Sequence, residues 1–235
     1  MRVAIIISGQ PRFQKADFES HFTQFKGADR IDWFFYLWQN NEKIINIPSN
    51  WWNIPDANWA AEKINSVLPK NHVLARLVLG NYDLEKYKTL PGIGSIEATK
   101  LQWHGVKQVD LLRQDIQKKW GHYDLVIRSR VDRAIAKEVC LQEIKKELDF
   151  VPNLVYTPNH SRHYCQGYGM CDTFAITTPE NMSIYSDLIN YIDEYCPSIL
   201  PAHPEALLHY HLTKNRLILR ESLEMTYSTD YSIWY

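Results

Sequence analysis

The chain has 235 residues, 45% of them hydrophobic and 23% charged, enough to fill the core of one domain and too apolar for a disordered chain. Lys and Arg number 26 against 27 Asp and Glu, giving a net charge of -1, which excludes nucleic-acid binding through a global basic field. With 8 Trp, 14 Tyr and 8 Phe the chain is rich in rings, which serve either a core or a ligand surface.

The longest apolar runs, Val3–Ile7 and Trp33–Trp38, fall far short of the roughly 20 residues that span a bilayer, so no membrane segment is expected. Met1-Arg2 leads straight into Val3-Ala4-Ile5-Ile6-Ile7, which reads as a first strand and not as a secretory leader. The cysteines Cys140, Cys165, Cys171 and Cys196 form no Cys-x-x-Cys pair, and together these features predict a reduced, cytoplasmic setting.

Arg2–Ser8 is a β-branched run closed by Gly9-Gln10-Pro11, as in a buried parallel strand entering a turn. Phe18, Phe22 and Phe25 recur at helical spacing and predict a connecting helix to a second strand, Ile31–Trp38, parallel to the first. Residues 45–58 read as loop, Val73–Leu79 as strand, and Tyr82–Ser95 as loop again. Glu97–Trp120 predicts a long helix with Leu101, Val109, Leu112, Ile116 and Trp120 near one face and Gly121 at its C-terminal cap. Asp124–Arg130 is the next strand, and Thr173–Thr177 another.

Thr178-Pro179-Glu180 opens a helix whose stripe runs Met182, Tyr185, Ile189, Ile192 and Cys196 before Pro197 ends it. His203-Pro204-Glu205 opens a further helix through Leu212, and Leu217–Leu219 reads as a closing strand. There is no repeat, low-complexity tract or linker. The expected architecture is α/β: one Rossmann-like domain with a mostly parallel central sheet flanked by helices.

Four segments carry candidate chemistry. In Ser8-Gly9-Gln10-Pro11-Arg12 the glycine admits a close ligand and Arg12 offers a planar fork to phosphate; the alternative is a plain turn with an exposed arginine. In Arg128-Ser129-Arg130-Val131-Asp132-Arg133, strand alternation would put Arg128, Arg130 and Asp132 on one face. Charges so close to a central strand are costly without partners. They read as arginines holding a polyanion with Asp132 free for metal or sugar, or as a structural ion pair.

The stretch from His160 through His163, Cys165 and Cys171 to Asp172 matches no common zinc spacing. With Gly167 and Gly169 between its rings it reads better as an aromatic loop that leaves Asp172 facing a substrate. At His203-Pro204-Glu205, Glu205 is either a favourable first-turn carboxylate or, with His203, a group turned to a cleft. His209 and His211 read as structural. Trp33, Phe34, Phe35, Tyr36, Trp38, Trp120 and Tyr185 are assigned to packing, whereas Trp51, Trp52, Trp59, Tyr164 and Tyr168 sit in irregular stretches and are the rings assigned to ligand stacking.

Taken in order, RVAIIISGQPR, DWFFYLW, YDLVIRSRVD, CDTFAITTPENM and HPEALLHYHL resemble a family of small bacterial and viral glycosyltransferases with a GT-A-like fold. The resemblance spans most of the chain, and its most specific element is the Arg-x-Arg-x-Asp strand end. It implies transfer of a sugar from a nucleotide-sugar donor, such as a UDP-sugar, to a carbohydrate or other hydroxyl acceptor. Residues 1–133 would form the nucleotide-sugar half and 134–235 the acceptor half.

By the same resemblance Ser8, Gly9, Gln10 and Arg12 would meet the nucleotide, and Asp132 with His203 would hold Mn²⁺ or Mg²⁺ on the diphosphate. The usual motif is Asp-x-Asp, and this chain has Arg130-Val131-Asp132. Arg128 and Arg130 would then neutralise the diphosphate directly. Asp172 and Glu205 are the candidates to take the acceptor proton, Asp172 ahead because Glu205 has a capping role. The alternatives are a non-catalytic nucleotide- or carbohydrate-binding module on a degenerate transferase fold, and a nucleotidyltransferase, for which Gly9–Arg12 is too short and glycine-poor.

Overall fold

A computed structural model describes residues 1–9, 15–39, 56–81, 96–131, 135, 137–158, 170–196 and 203–222. Its centre is a seven-stranded sheet built from β1 (Arg2–Gly9), β3 (Arg30–Gln39), β4 (His72–Asn81), β5 (Leu125–Ser129), β7 (Leu154–Pro158), β8 (Ala175–Thr177) and β9 (Ile218–Ser222). The spatial order is β4-β3-β1-β5-β8-β7-β9. Every neighbouring pair is parallel except the two made by β8, which runs against both β5 and β7. This is the α/β, Rossmann-like domain with a mostly parallel sheet that the hydrophobic runs predict. A minor pair, β2 (Phe25–Lys26) with β6 (Val139–Cys140), stands beside it.

Helices cover both faces because the strands are apolar on both. Trp33, Phe35 and Leu37 enter one cluster with Val3, Ile5, Ile7 and Ile127, which α2 (Ala57–Val67) and α4 (Leu141–Phe150) cover through Ile64, Leu141, Ile144 and Leu148. α1 (Lys15–Gln24) joins that layer through Phe22. Phe34 turns the other way, with Ala4, Ile6 and Val126, against α3 (Ile96–Trp120), α5 (Pro179–Ser186), α6 (Ile192–Tyr195) and α7 (Pro204–Lys214). Burying both faces is what a parallel sheet requires. Among the described residues no helix is long and apolar enough to cross a membrane. Cys140, Cys171 and Cys196 are free thiols.

Several expectations need correction. Trp59 lies in α2, whose N-cap Asp56 accepts the Trp59 backbone N–H at 2.9 Å, and not in a loop. The signals for α2 and α4 were present as an Asp cap before Ala60 and Ile64, and as Leu141, Ile144 and Leu148 at helical spacing; β7 is a short run buried on both faces. The helix after Thr178 is not continuous: α5 passes into a 3-10 turn at Asp187–Tyr191 before α6. Phe25 belongs to β2, β8 starts at Ala175, and the last strand extends to Ser222.

The bounds of α3 are as expected and Gly121 ends it with φ +96, but its buried line differs. The core-facing side chains are Trp103, Val106 and Val109, followed by Asp110 and Arg113, while Trp120 is 47% exposed. Asp110 and Arg113 break the apolar period yet are buried, because they satisfy one another at 2.7 Å and recruit Gln114, Gln117, Ser183 and Ser186. Of the expected stripe Val109 is in the core and Leu112 and Ile116 pack against it, while Trp120 falls outside and the apolar count misses Asp110 and Arg113.

At the amino edge of the sheet the buried carboxylate of Asp32 accepts from Arg2 Nε at 2.9 Å, Arg30 Nε at 2.7 Å and the Tyr123 hydroxyl at 2.7 Å. Arg2 also donates to the Trp120 carbonyl at 2.6 Å, and its guanidinium lies 4.3 Å from the Tyr123 ring centroid. One residue thus ties β1 and β3 to the α3–β5 junction. Asp32→Ala is expected to destabilise the fold by about 3 kcal/mol in urea titrations, since it strands Arg2 and Tyr123 without their acceptor.

His72 gives a second expectation. It accepts the Trp33 Nε1 hydrogen bond at 3.1 Å beneath Phe22, and burial pushes its pKa down to about 4. The unfolded imidazole, titrating near ~6.5, binds the extra proton first as pH falls. Stability contributed by this group is therefore full above that value and lost as pH drops toward about 4. The loss in urea midpoint across this window should be smaller in His72→Gln.

Candidate functional site

The chain leaves β1 outward to β3 and β4 and then returns to place β5 on the opposite side of β1. The order reverses between β1 and β5, and in open α/β sheets ligands bind beyond the carboxyl ends of the strands at such a reversal. Ser8 and Gly9 end β1 there, while Arg128 and Ser129 end β5. Ile7 pairs with Ser129 and Ile6 with Arg128, so the two ends lie side by side. Gly9 has φ +125, and a side chain built on it would meet nothing within 4 Å. The positive φ selects glycine.

α3 spans the same edge. A Cβ on Gly105 would come 3.4 Å from the Ser8 Cβ and 3.5 Å from Trp38, ordinary contact distances that place this turn of the helix directly against the end of β1. Trp38 stacks on His104 with centroids 5.9 Å apart, and Tyr36 meets Trp38 edge-on at 5.4 Å. Burial lowers the His104 pKa and raises that of Tyr36. This trio borders the edge beside Ser8; the sequence assigns Tyr36 and Trp38 to packing and gives His104 no role.

Arg128 is 1% exposed, its Nη1 donating to the Ser129 carbonyl, so it lies under the surface and not at it. β5 stops at Ser129 and Arg130 follows it half-buried, so strand alternation does not extend beyond Ser129 and does not set the side of Arg130. On the other face of β5, the Ser129 hydroxyl shares a buried 2.7 Å hydrogen bond with His21 Nε2, and the Ser20 hydroxyl accepts the Ile135 backbone N–H at 2.9 Å. α1 is thereby bound to the end of β5. Neither Ser20 nor His21 was singled out from the sequence.

Because β8 runs backwards, the residues just before it stand at the carboxyl edge of the parallel strands. Asp172 is among them, 6% exposed, its Oδ2 accepting from Gln102 Nε2 of α3. The Tyr185 hydroxyl donates to the Asp172 backbone carbonyl at 3.2 Å. Burial raises the Tyr185 pKa strongly, with the nearby Arg128 charge opposing and Asp172 and Cys171 adding to the rise. Burial and the Asp172 charge also push the Cys171 thiol up to about 11. Arg128, Asp172, Tyr185 and Gln102 thus form one polar cluster beneath the edge.

α7 leads through Arg216 and Leu217 into β9, whose first residue bonds the Asn153 carbonyl at the amino edge. Its other end, bearing His203 and Glu205, therefore points toward the carboxyl edge. His203 Nδ1 stands 3.8 Å from a Glu205 carboxylate oxygen. Buried His211 is held between Tyr195 at 3.1 Å and the Ile184 carbonyl at 2.9 Å, in line with a structural role. Gln10, Arg12 and Asp132, and the rings Trp51, Trp52, Tyr164 and Tyr168, lie outside the described residues. Among the described residues no group of three or more His, Cys, Asp or Glu forms a metal site.

A cleft of about 430 Å³ opens away from this edge, between α3 and α5, lined by Arg113, Gln117, Lys118, His122, Glu180 and Ser183. Its buried cation is already committed to Asp110, Gln117 and Ser183. The carboxyl edge is therefore the stronger candidate on chemistry. No protein-family model matches the chain, and no curated protein matches it significantly.

Ser129→Ala should cost about 1–3 kcal/mol, read from denaturant titration, because it leaves a buried imidazole nitrogen of His21 without its hydroxyl. A loss near zero would show that this hydrogen bond does not hold α1 to β5.

Proposed function

We propose that the protein is a glycosyltransferase that moves a sugar from a nucleotide-sugar donor to a hydroxyl acceptor. The observation that carries this reading is the meeting of Ser8–Gly9 with the arginine-bearing end of β5 at the reversal of strand order. A glycine with open space above it lets a diphosphate approach the backbone. Arg130 and Arg12 meet the diphosphate, and Arg128 adds its charge from below. In the reaction the acceptor oxygen bonds to the anomeric carbon and the bond from that carbon to the diphosphate oxygen breaks. The nucleoside diphosphate leaves with the electron pair, and the acceptor proton passes to a carboxylate.

Asp172 is that carboxylate, with Glu205 the second candidate. The chemistry asks mainly for cations where negative charge develops on the leaving oxygen. A Mn²⁺ or Mg²⁺ ion on the diphosphate belongs to the same reading, with Asp132 and His203 as its ligands. Of that pair the described residues hold His203, with Glu205 beside it. The chemistry such an ion supplies is charge neutralisation of the leaving group.

The test is a thermal-shift series of nucleoside diphosphates and nucleotide sugars, with and without Mn²⁺. A ligand at 100 times its Kd adds about 2.7 kcal/mol to apparent stability, an easily measured rise. Arg130→Ala should keep the unliganded melting temperature and lose most of the shift. Asp172→Asn should keep the shift and lose transfer. No shift with any nucleotide overturns the reading, and binding without turnover across a broad acceptor panel favours the non-catalytic module.

A further inference from the structure

Gln102 has no role in the assignments above, yet it connects both parts of the proposed site. It stands on the same side of α3 as Gly105, one turn away, and residues three apart on a helix are neighbours. Gly105 rests against Ser8 at the end of β1, and the Gln102 amide donates to Asp172. One helical turn therefore sets the carboxylate against the glycine end of β1. Around Asp172 the facing groups are Gln102 from α3, Tyr185 from α5, Arg128 from β5 and the adjacent Cys171.

We propose that Gln102 is the positioning residue of Asp172, holding its Oδ2 so that Oδ1 is presented to the acceptor hydroxyl. A carboxylate swings about its terminal torsion, which is broad and nearly two-fold. A primary amide fixed on a long helix takes up one oxygen and restricts that swing. Tyr185 holds the backbone of the same residue at its carbonyl, so side chain and main chain are fixed from separate helices. An N–H bond to a charged acceptor is among the stronger side-chain hydrogen bonds. The inference rests on the transferase reading for its substrate, while the hydrogen bond it assigns can be tested without turnover.

Two substitutions separate shape from donation in the full-length chain. Gln102→Met keeps length without a donor, and Gln102→Glu keeps shape but replaces the donor with an acceptor. Gln102→Met should fold with a melting temperature close to the parent and Gln102→Glu with a lower one, because it sets a second carboxylate against Asp172, and both should bind nucleoside diphosphate with unchanged Kd. Both should lower kcat by about 10- to 100-fold with donor KM unchanged. A residue that only fills space would be preserved in both variants. In ¹⁵N-resolved NMR the Gln102 side-chain amide should move on Asp172→Ala.

Wild-type kcat in Gln102→Met, with Asp172→Asn inactive, overturns the positioning role and leaves the transferase reading standing. Full activity in Asp172→Asn overturns the assignment of Asp172 and the positioning role with it. If no donor is turned over, the NMR measurement decides: an amide unmoved by Asp172→Ala overturns the inference, and one that moves upholds the bond independently of the reaction.

Discussion

The carboxylate of Asp32 is the constraint on which the rest of the sheet depends. It is fully buried, and a charge in that position survives only because two guanidinium groups and a phenol surround it. Arg2 is the second residue of the chain, Arg30 opens β3, and Tyr123 stands at the turn into β5. Satisfying one group therefore fixes three chain segments relative to one another. A slip of one residue in β1 would turn Arg2 away and place the side chains of Val3–Ile7 on the wrong faces. The alignment of Ser8 with the end of β5 is set from the far edge of the sheet.

The two edges of the sheet differ in kind. At the amino edge the charges of Arg2, Arg30 and Asp32 are paired within the protein, and the Arg2 backbone N–H donates to Asp124 Oδ2 at 2.6 Å. At the carboxyl edge the polar groups are organised from beneath: His21 under Ser129, Gln102 and Tyr185 on Asp172, and Gly105 against Ser8. The first arrangement spends its hydrogen bonds on register. The second leaves oriented side chains near the surface, the property a binding or catalytic edge needs.

Much of this was legible in the residues. Strands that are apolar on both faces announce a parallel sheet, and Val3–Ile7 and Trp33–Trp38 did so. Thr178-Pro179-Glu180 and Gly121 marked helix ends through local chemistry that tertiary contacts do not overrule. What failed depended on partners distant in sequence. Asp110 and Arg113 look like a solvent face until Ser183 and Ser186 arrive some seventy residues later to complete the network. Trp120 looks like core until Arg2 and Arg30 cover it with charge. That Ser8, Gly9, Arg128, Arg130 and Asp172 lie at or beside strand ends was legible because strand ends can be read one segment at a time. Gln102 and His21 were missed because their meaning lies in side chains 70 and 108 residues away.

The reversed strand β8 has a consequence for how such a protein can change. Parallel strands deliver only their final residues to the working edge, so each new group there must come from the loop that follows a strand. β8 delivers its leading residues instead, and Asp172 arrives from the stretch that precedes it. Its partners Gln102 on α3 and Tyr185 on α5 belong to other elements and meet it at its side chain and its backbone carbonyl. Changes ahead of β8 thus alter the groups at this edge, whereas the pairing of β1 with β5 is made by other residues. The edge is thus built by two routes, strand ends and a strand beginning, and the boundary between them is a single three-residue strand.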